Sequence, residues 1–304
     1  MKPEFFLLVL VLLAFGCADN TAWEKDFPVR SVVVNGTEYK YRIYIPANRD
    51  PAQEIPVMLF LHGSGARSDD NQSQAAGFRD LVSEYRDRYS FAIVLPQCRP
   101  GTFWAGEMTE QAMAALEQTV KEVNGDESRL YLAGYSMGGY GTWQTAVTYP
   151  GKFAALVPIA GGIVPNGPVS EEDKAILSPR VRAAADSADP YDSFADAIGN
   201  TPVWIFHGAA DDIVLAEGSR KMAEVLKARG NTNVNYTAFA GVGHGSLMKA
   251  LTEPALYEWL AQQRLPANER AGPTGAVCDN FLKALFQGGF LHGRGKCGRP
   301  GRDS

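Results

Sequence analysis

Residues 130–143 read LYLAGYSMGGYGTW, an apolar run that leads directly into a segment with four glycines. Within this stretch, Gly134 to Gly138 fit the pattern G-x-S-x-G, which between a buried strand and a helix is typical of a nucleophile elbow. Such a turn forces unusual dihedral angles on the serine and exposes its hydroxyl above the edge of a sheet. We therefore predict that Ser136 is a nucleophile, the alternative being a serine that only caps a helix after a glycine turn.

The rest of the chain alternates short apolar runs with helical patterns. Residues 31–34 and 39–46, joined by Asn35-Gly36, predict a β-hairpin with a two-residue turn. Apolar residues at helical spacing predict helices over 107–123 and 214–229. Near-continuous apolar runs, as expected of strands covered on both faces, occupy 57–63, 91–97, 130–136, 153–161, 203–208 and 234–241. This order predicts a mostly parallel, doubly wound α/β sheet that begins with an antiparallel hairpin.

The partners of Ser136 are expected in the loops beyond the carboxyl ends of the strands, where such sheets bind ligands. A serine hydroxyl needs a base. Of the four histidines, His244 is the one, the C-terminal segment aside, that has both the serine and a plausible acid earlier in the chain. We predict Asp211 as the acid that orients the imidazole, and the adjacent Asp212 as a solvated N-cap of the following helix.

An oxyanion formed during acyl transfer needs two preorganised N–H donors. The backbone N–H of Met137, directly after the serine, is predicted to be one of them. The second is expected from the loop after strand 57–63, where Ser64 is the first candidate and Gly63 or Gly65 the alternatives.

Aromatic residues and one long connection are the candidates for the walls of a substrate pocket. Trp104 and Tyr135 are candidate wall residues, because aromatic side chains suit acyl or aryl groups. Tyr140 and Trp143 are further candidates, with core packing as the alternative for Trp143. The connection 162–202 is longer than the others and is either a lid over the site or a peripheral helical segment.

The N-terminal segment predicts export. Lys2 is followed by an apolar run, 5–15, which has the length of a signal-peptide core and is shorter than the roughly 20 residues of a membrane-spanning helix. Residues 14–16, AFG, have a small-x-small pattern directly before Cys17, so the segment resembles a bacterial lipoprotein signal in which that cysteine is lipidated; an uncleaved apolar helix is the alternative. We expect a signal peptide at 1–16 and an exported protein that is periplasmic, extracellular or tethered to the envelope by lipid.

Composition limits the partners and the domain plan. A net charge of −5 and a pI near 5.5 argue against a nucleic-acid partner. The cysteine spacing fits no zinc pattern; a disulfide between Cys278 and Cys297 is open, and Cys98 is expected to be a buried apolar residue. The predicted plan is a linker at 17–26, one catalytic domain at 27–264 and a glycine-rich, poorly ordered tail at 265–304.

Five ordered blocks resemble the α/β-hydrolase carboxylesterases of the dienelactone-hydrolase and prolyl-oligopeptidase-like branch, which includes secreted acetyl-xylan and feruloyl esterases. The blocks are LFLHGSG (59–65), PQC (96–98) with Trp104, GYSMGGYGTW (134–143), FHGAADDIV (206–214) and GVGHGS (241–246). The resemblance implies an α/β-hydrolase fold and the triad Ser136, Asp211 and His244. Leu215 departs from the family, whose members often have proline at this point.

The function implied by the resemblance is a serine carboxylester hydrolase. It would act through an acyl-serine intermediate, without metal or cofactor, on a small-molecule or polysaccharide ester. One alternative is a serine peptidase, but peptidases of this branch usually carry a large additional domain for which 304 residues leave no room. The other is a non-catalytic binding module, which normally lacks a member of the triad.

Overall fold

The computed structural model describes residues 22–86, 89–163 and 170–266, which contain eight strands and nine α-helices. The strands are β1 (Val29–Val34), β2 (Thr37–Tyr44), β3 (Ile55–Leu61), β4 (Ala92–Pro96), β5 (Gly125–Tyr135), β6 (Ala155–Ile159), β7 (Val203–Gly208) and β8 (Val234–Phe239). The helices are α1 (Ala76–Tyr85), α2 (Glu107–Glu122), α3 (Met137–Thr148), α4 (Glu171–Ile176), α5 (Pro179–Ala185), α6 (Pro190–Ile198), α7 (Ala216–Ala228), α8 (Leu247–Leu251) and α9 (Pro254–Gln262). The predicted signal peptide, Cys17, and the tail with Cys278 and Cys297 lie outside the described residues.

The strands form one sheet in the order β1-β2-β4-β3-β5-β6-β7-β8. β2 is antiparallel to both of its neighbours, and every other pair is parallel. The hairpin between β1 and β2 turns at Asn35 (φ 49°) and Gly36 (φ 80°), the two positive φ values that a tight hairpin turn requires. The predicted α/β-hydrolase sheet with an N-terminal antiparallel hairpin is confirmed.

Successive residues of a strand serve two separate cores, one on each face of the sheet. In β3, Val57, Leu59 and Leu61 belong to one apolar cluster, while Met58 and Phe60 belong to the other. The first cluster is closed by residues of α2, α3, α6 and α7, and the second by residues of α1 and α9. Burial on both faces explains why the strands read as continuous apolar runs.

The long connection after β6 is helical, and its prolines decide where each helix begins. The sequence pattern 170–188 reads as one helical stretch, but the structure divides it into α4 and α5. Pro179 has no N–H to continue a helix, and the Ser178 hydroxyl accepts a hydrogen bond from the Val181 N–H, so a new helix starts there. In the same way, Asp189 caps α6 ahead of Pro190.

The carboxyl ends of the parallel strands meet at one edge of the sheet. β3 leads into Gly63 and Ser64, β5 into Ser136, β7 into Asp211 and β8 into His244. The fold therefore gathers residues that are distant in sequence into a single group of loops.

Candidate active site

Ser136 lies in a sharp turn between β5 and α3. Its φ of 55° falls in the left-handed region, which a non-glycine residue adopts only at a cost. Two backbone bonds hold the turn: the Ser136 N–H donates to the Ile159 carbonyl (2.9 Å), and the Tyr140 N–H donates to the Ser136 carbonyl (3.1 Å). The strand, turn and helix expected of a nucleophile elbow are all present.

Gly134 and Gly138 flank the serine where no side chain fits. A Cβ on Gly138 would overlap the carbonyl oxygen of Leu61 at the end of β3, and a Cβ on Gly134 would overlap that of Gly138. Both obstacles are backbone atoms, which cannot move aside as a flexible side chain can. These close approaches bring α3 against the sheet and so aim the serine at the strand ends.

The three predicted triad residues form a continuous hydrogen-bonded chain. His244 Nε2 lies 2.8 Å from Ser136 Oγ, and His244 Nδ1 lies 2.8 Å from Asp211 Oδ2. A carboxylate accepts but does not donate, so Nδ1 carries the hydrogen and Nε2 is free to accept the serine proton. This geometry is what a general base needs to activate a serine hydroxyl.

The carboxylate of Asp211 is fully buried, whereas the imidazole of His244 is 17% exposed. Burial acts to raise the pKa of Asp211, but hydrogen bonds from His244 and from the backbone N–H groups of Val214 and Ile213 outweigh it and hold that pKa below its ordinary value. Asp211 is therefore ionised at neutral pH and can stabilise the imidazolium that forms on His244.

Asp212 does not have the role that the sequence suggested. Its side chain is exposed, as expected, but α7 begins at Ala216, with Leu215 in the N-cap position. The N-cap prediction for Asp212 is wrong, because the loop bound by Asp211 continues through Val214 before the helix starts. Leu215, the departure from the family, is exposed.

Tyr135 supports the loop that carries the base. Its hydroxyl donates to the backbone carbonyl of His244 (2.8 Å), and the centres of the two rings are 5.4 Å apart. Tyr135 was predicted as a pocket wall; the structure places it behind His244, and it does not line the cavity described below.

One candidate oxyanion donor belongs to the elbow itself, and the loop of the other lies beside it. Met137 is the first residue of α3, so its N–H has no acceptor within the helix. A Cβ built on Gly63 would lie 3.4 Å from the Ser136 Cβ, so the loop that begins at Gly63 borders the nucleophile. Ser64 follows Gly63 directly, and its N–H stays the predicted second donor.

His62 fixes the shape of this loop and is not a second base. Its Nε2 accepts from the Cys98 N–H (2.9 Å), its Nδ1 lies 2.8 Å from the Gly63 carbonyl, and its own carbonyl accepts from Trp104 Nε1 (2.9 Å). Burial lowers the pKa of His62 to about 4, so the ring is neutral at physiological pH. Cys98 is buried, as predicted.

A cavity of about 520 Å³ begins at the elbow, since Met137 is part of its wall. Trp104 and Tyr140 line it, in agreement with their prediction as wall residues. Trp143 is instead buried in the core. Seven of the lining residues belong to segment 173–186 of the long connection, which therefore forms part of the cavity wall.

Within the described part of the chain, no group of three or more His, Cys, Asp or Glu side chains is arranged to hold a metal ion. Across the same residues, no helix has both the length and the apolar character needed to cross a membrane.

The model of the prolyl oligopeptidase family matches residues 102–264, which is more than half of the chain. The chain belongs to the prolyl oligopeptidase family. The matched region contains the elbow, Asp211 and His244. It ends at residue 264, two residues before the end of the last described segment. The resemblance to the esterase-containing branch of α/β-hydrolases is confirmed.

Several known proteins are similar to this prolyl-oligopeptidase-family chain. An uncharacterized secreted protein of Arthroderma benhamiae is 27% identical over 239 residues, covering 73% of this chain and 24% of its own length. Acetylxylan esterase A of Emericella nidulans is 26% identical over 180 residues, covering 53% of this chain and 56% of its own. The chain thus spans between about a quarter and just over half of the length of these two relatives. The crystal structure of a thermostable esterase superposes with a TM-score of 0.63 at 28% identity, covering 80% of this chain and 64% of that one.

One histidine near the triad was missed by reasoning from the sequence. His207 is the fifth of the six residues of β7 and precedes a glycine, so it reads as a core residue near a strand end. In the structure it is fully buried and its Nε2 lies 3.2 Å from Asp211 Oδ2. The one available signal was its spacing of four residues before the acid.

Proposed function

We propose that this protein is a serine carboxylester hydrolase that works through an acyl-serine intermediate. The observation that carries the proposal is His244, which lies within 2.8 Å of both Ser136 Oγ and Asp211 Oδ2. Relatives that include an acetylxylan esterase and a thermostable esterase support this activity.

In the proposed reaction, Ser136 Oγ attacks the ester carbonyl while His244 Nε2 takes the hydroxyl proton. The oxyanion that forms is bound by the N–H groups of Met137 and Ser64. His244 then returns its proton to the leaving alcohol, and the acyl group stays on Ser136. Water, activated by the same imidazole, releases the acid and restores the serine. Asp211 holds the imidazole in position throughout and stays ionised.

The first test of this function is burst kinetics with a short-chain nitrophenyl ester. The wild type should release about one nitrophenol per protein chain before steady turnover, because nitrophenol is a good leaving group and acylation is expected to be faster than hydrolysis of the acyl-enzyme. Ser136→Ala should abolish the burst, while Ser193→Ala, which changes a serine in α6, should keep it. Full activity in Ser136→Ala would contradict the assignment.

We also propose that the substrate is a small acyl ester or an esterified polysaccharide. The cavity is mainly apolar and has the volume of sites that bind small organic groups. The acetylxylan esterase among the relatives supports a carbohydrate ester. A panel of acetyl, feruloyl and medium-chain acyl esters should rank the acyl groups by kcat/KM, and equal rates across the panel would argue against a selective acyl pocket.

A serine peptidase is the second candidate, and the name of the family favours it. The two activities are separated by comparing an ester with the anilide of the same acyl group. We expect the ester to be cleaved and the anilide to be cleaved far more slowly. Comparable turnover of a peptide anilide would favour the peptidase.

We further propose that the protein is exported and that lipid is attached at Cys17. The apolar run 5–15 and the cysteine that follows it support this location, as does the secreted relative. Mass spectrometry of the protein from a bacterial membrane fraction should find Cys17 as an acylated N-terminus, and Cys17→Ala should shift the protein to the soluble fraction. A mature chain that still begins at Met1 would contradict it.

A further inference from the structure

His207 is a buried histidine that the proposed reaction does not use. It is the fifth residue of β7, and its side chain is completely shielded from solvent. Its Nε2 lies 2.8 Å from the Val214 carbonyl oxygen and 3.2 Å from Asp211 Oδ2. Both oxygens can only accept, so Nε2 carries a hydrogen that points into the loop of the catalytic acid.

The other ring nitrogen fixes the plane of the imidazole. Nδ1 lies 2.8 Å from Ser219 Oγ in α7, and the same hydroxyl oxygen lies 2.9 Å from the Gly161 carbonyl just after β6. The Ser219 hydroxyl has one hydrogen, so when the ring is neutral it donates either to His207 Nδ1 or to the Gly161 carbonyl. When the hydroxyl donates to Nδ1, His207 is held from two sides; when it donates to Gly161, the ring is held through Nε2–H alone. In both arrangements, rotation of the ring would break the buried Nε2–H bond.

The contacts of Val214 show what this held ring does. The Val214 N–H donates to Asp211 Oδ1 (2.9 Å), while its carbonyl accepts from His207. The loop 211–214 is therefore closed by the carboxylate at one end and anchored to β7 at the other. A shift of this loop would move Asp211 Oδ2 away from His244 Nδ1.

We propose that His207 is a positioning residue of the triad: its Nε2–H holds the Asp211 carboxylate and the 211–214 loop in the geometry that orients His244. This inference rests on the proposed function, because His207 acts through Asp211. It is distinct from a substrate contact, since His207 does not line the cavity. Misplacing a catalytic group by about 1 Å costs on the order of a hundredfold in rate.

Two isosteric variants separate the two ring nitrogens. The amide nitrogen of His207→Gln falls near the position of Nε2 and can still donate to Val214 and Asp211. The amide of His207→Asn falls near Nδ1 and reaches only Ser219. We expect kcat on a nitrophenyl ester to fall about 10- to 100-fold in His207→Asn and to stay within about fivefold of the wild type in His207→Gln, with KM in both within about twofold of the wild type.

A control variant is needed because the loss of any buried polar side chain lowers stability, whether or not that side chain positions the triad. Asn231 is buried at the far end of α7, where its side chain donates to the Gly199 and Thr201 carbonyls. Asn231→Ala should lower the melting temperature at least as much as His207→Asn and leave kcat unchanged. If His207→Asn keeps wild-type kcat, or if His207→Gln loses as much kcat as His207→Asn, the positioning role is overturned.

A second readout makes the test independent of the substrate. A fluorophosphonate reacts with an activated serine whatever its natural substrate, and intact mass spectrometry counts the modified chains. If the wild type is not modified at Ser136, the proposed function fails. If the wild type is modified and His207→Asn reacts as fast, the inference about His207 alone fails. We expect modification of His207→Asn to be about 10- to 100-fold slower, with His207→Gln close to the wild type.

Discussion

Asp211 differs from its neighbour Asp212 in every contact that matters for catalysis. The two oxygens of the Asp211 carboxylate lie within 3.2 Å of four nitrogen atoms, which belong to His207, Ile213, Val214 and His244. Asp212 is exposed to solvent. Two adjacent carboxylates thus occupy opposite environments, because the loop bends around the Asp211 carboxylate and leaves the side chain of Asp212 in solvent.

Neutralising the two carboxylates separately should show this difference. In Asp211→Asn, the amide can donate to Nδ1 of His244 and favour the tautomer that cannot accept the serine proton, so kcat should fall by about 10⁴-fold. Asp212→Asn should change kcat by less than about twofold. The measurement is kcat/KM on a nitrophenyl ester for both variants. A larger loss in Asp212→Asn than in Asp211→Asn would reverse the assignment of the acid.

The sequence was sufficient to predict that the three candidate triad residues lie together, because the order of the motifs along the chain is maintained by the fold. Ser136, Asp211 and His244 each follow a strand whose apolar run is recognisable, and parallel strands bring their ends together. His207 could not be predicted in the same way. Its role depends on a contact with the Val214 carbonyl, which only the turn of the following loop creates.

At the level of secondary structure, the strands were easier to predict than the helices. β7 begins and ends where the apolar run predicts, and the other core strands lie within or overlap their runs. α1 was not predicted. It buries Phe78, Leu81 and Val82, which lie at helical spacing, but it begins without a side-chain cap. The apolar pattern was therefore present in the sequence, and the missing start signal in a helix of only ten residues explains why it was not predicted.

Whether the connection 162–202 would cover the site was also open from sequence. Its helices α4 and α5 provide Lys174, Leu177 and Val181 to the cavity wall. The same cavity is lined by Met137 and Val181, which are far apart in the chain. No local pattern in either segment predicts it.

Val181 in α5 offers a test of the cavity as the acyl site. It is buried and lines the cavity, so the larger side chain of Val181→Phe should reduce the cavity volume and disfavour longer acyl chains. We expect kcat/KM for a hexanoyl ester to fall at least about tenfold relative to the acetyl ester, which should be hydrolysed nearly as fast as before. Arg180→Phe adds the same ring on the exposed side of α5 and serves as the control. An unchanged hexanoyl-to-acetyl ratio in Val181→Phe would place the acyl group elsewhere.

For the whole molecule, the buried histidines link stability to pH. His62 and His207 both lie at strand ends and are buried. Burial lowers the pKa of each, to about 4 for His62. The unfolded chain exposes both rings to water, where a histidine titrates near pH 6.5. Acid therefore adds protons to the unfolded chain before it adds them to the native protein.

The contribution of His62 to this effect can be measured. Because its native pKa lies below its unfolded value, its contribution to stability is complete above pH 6.5 and declines as the pH falls towards 4. At about 1.4 kcal/mol per unit of pKa, the free energy of unfolding should fall by about 3 kcal/mol over this range. Urea denaturation at several pH values between 7 and 5 should show most of the decline, because carboxylates with a lowered native pKa lose their contribution mainly below about pH 5. His62→Gln should have a lower free energy of unfolding at pH 7, but that free energy should vary less with pH. The pH dependence that remains should include the contribution of His207. Equal slopes in the variant and the wild type would show that His62 does not titrate in this window.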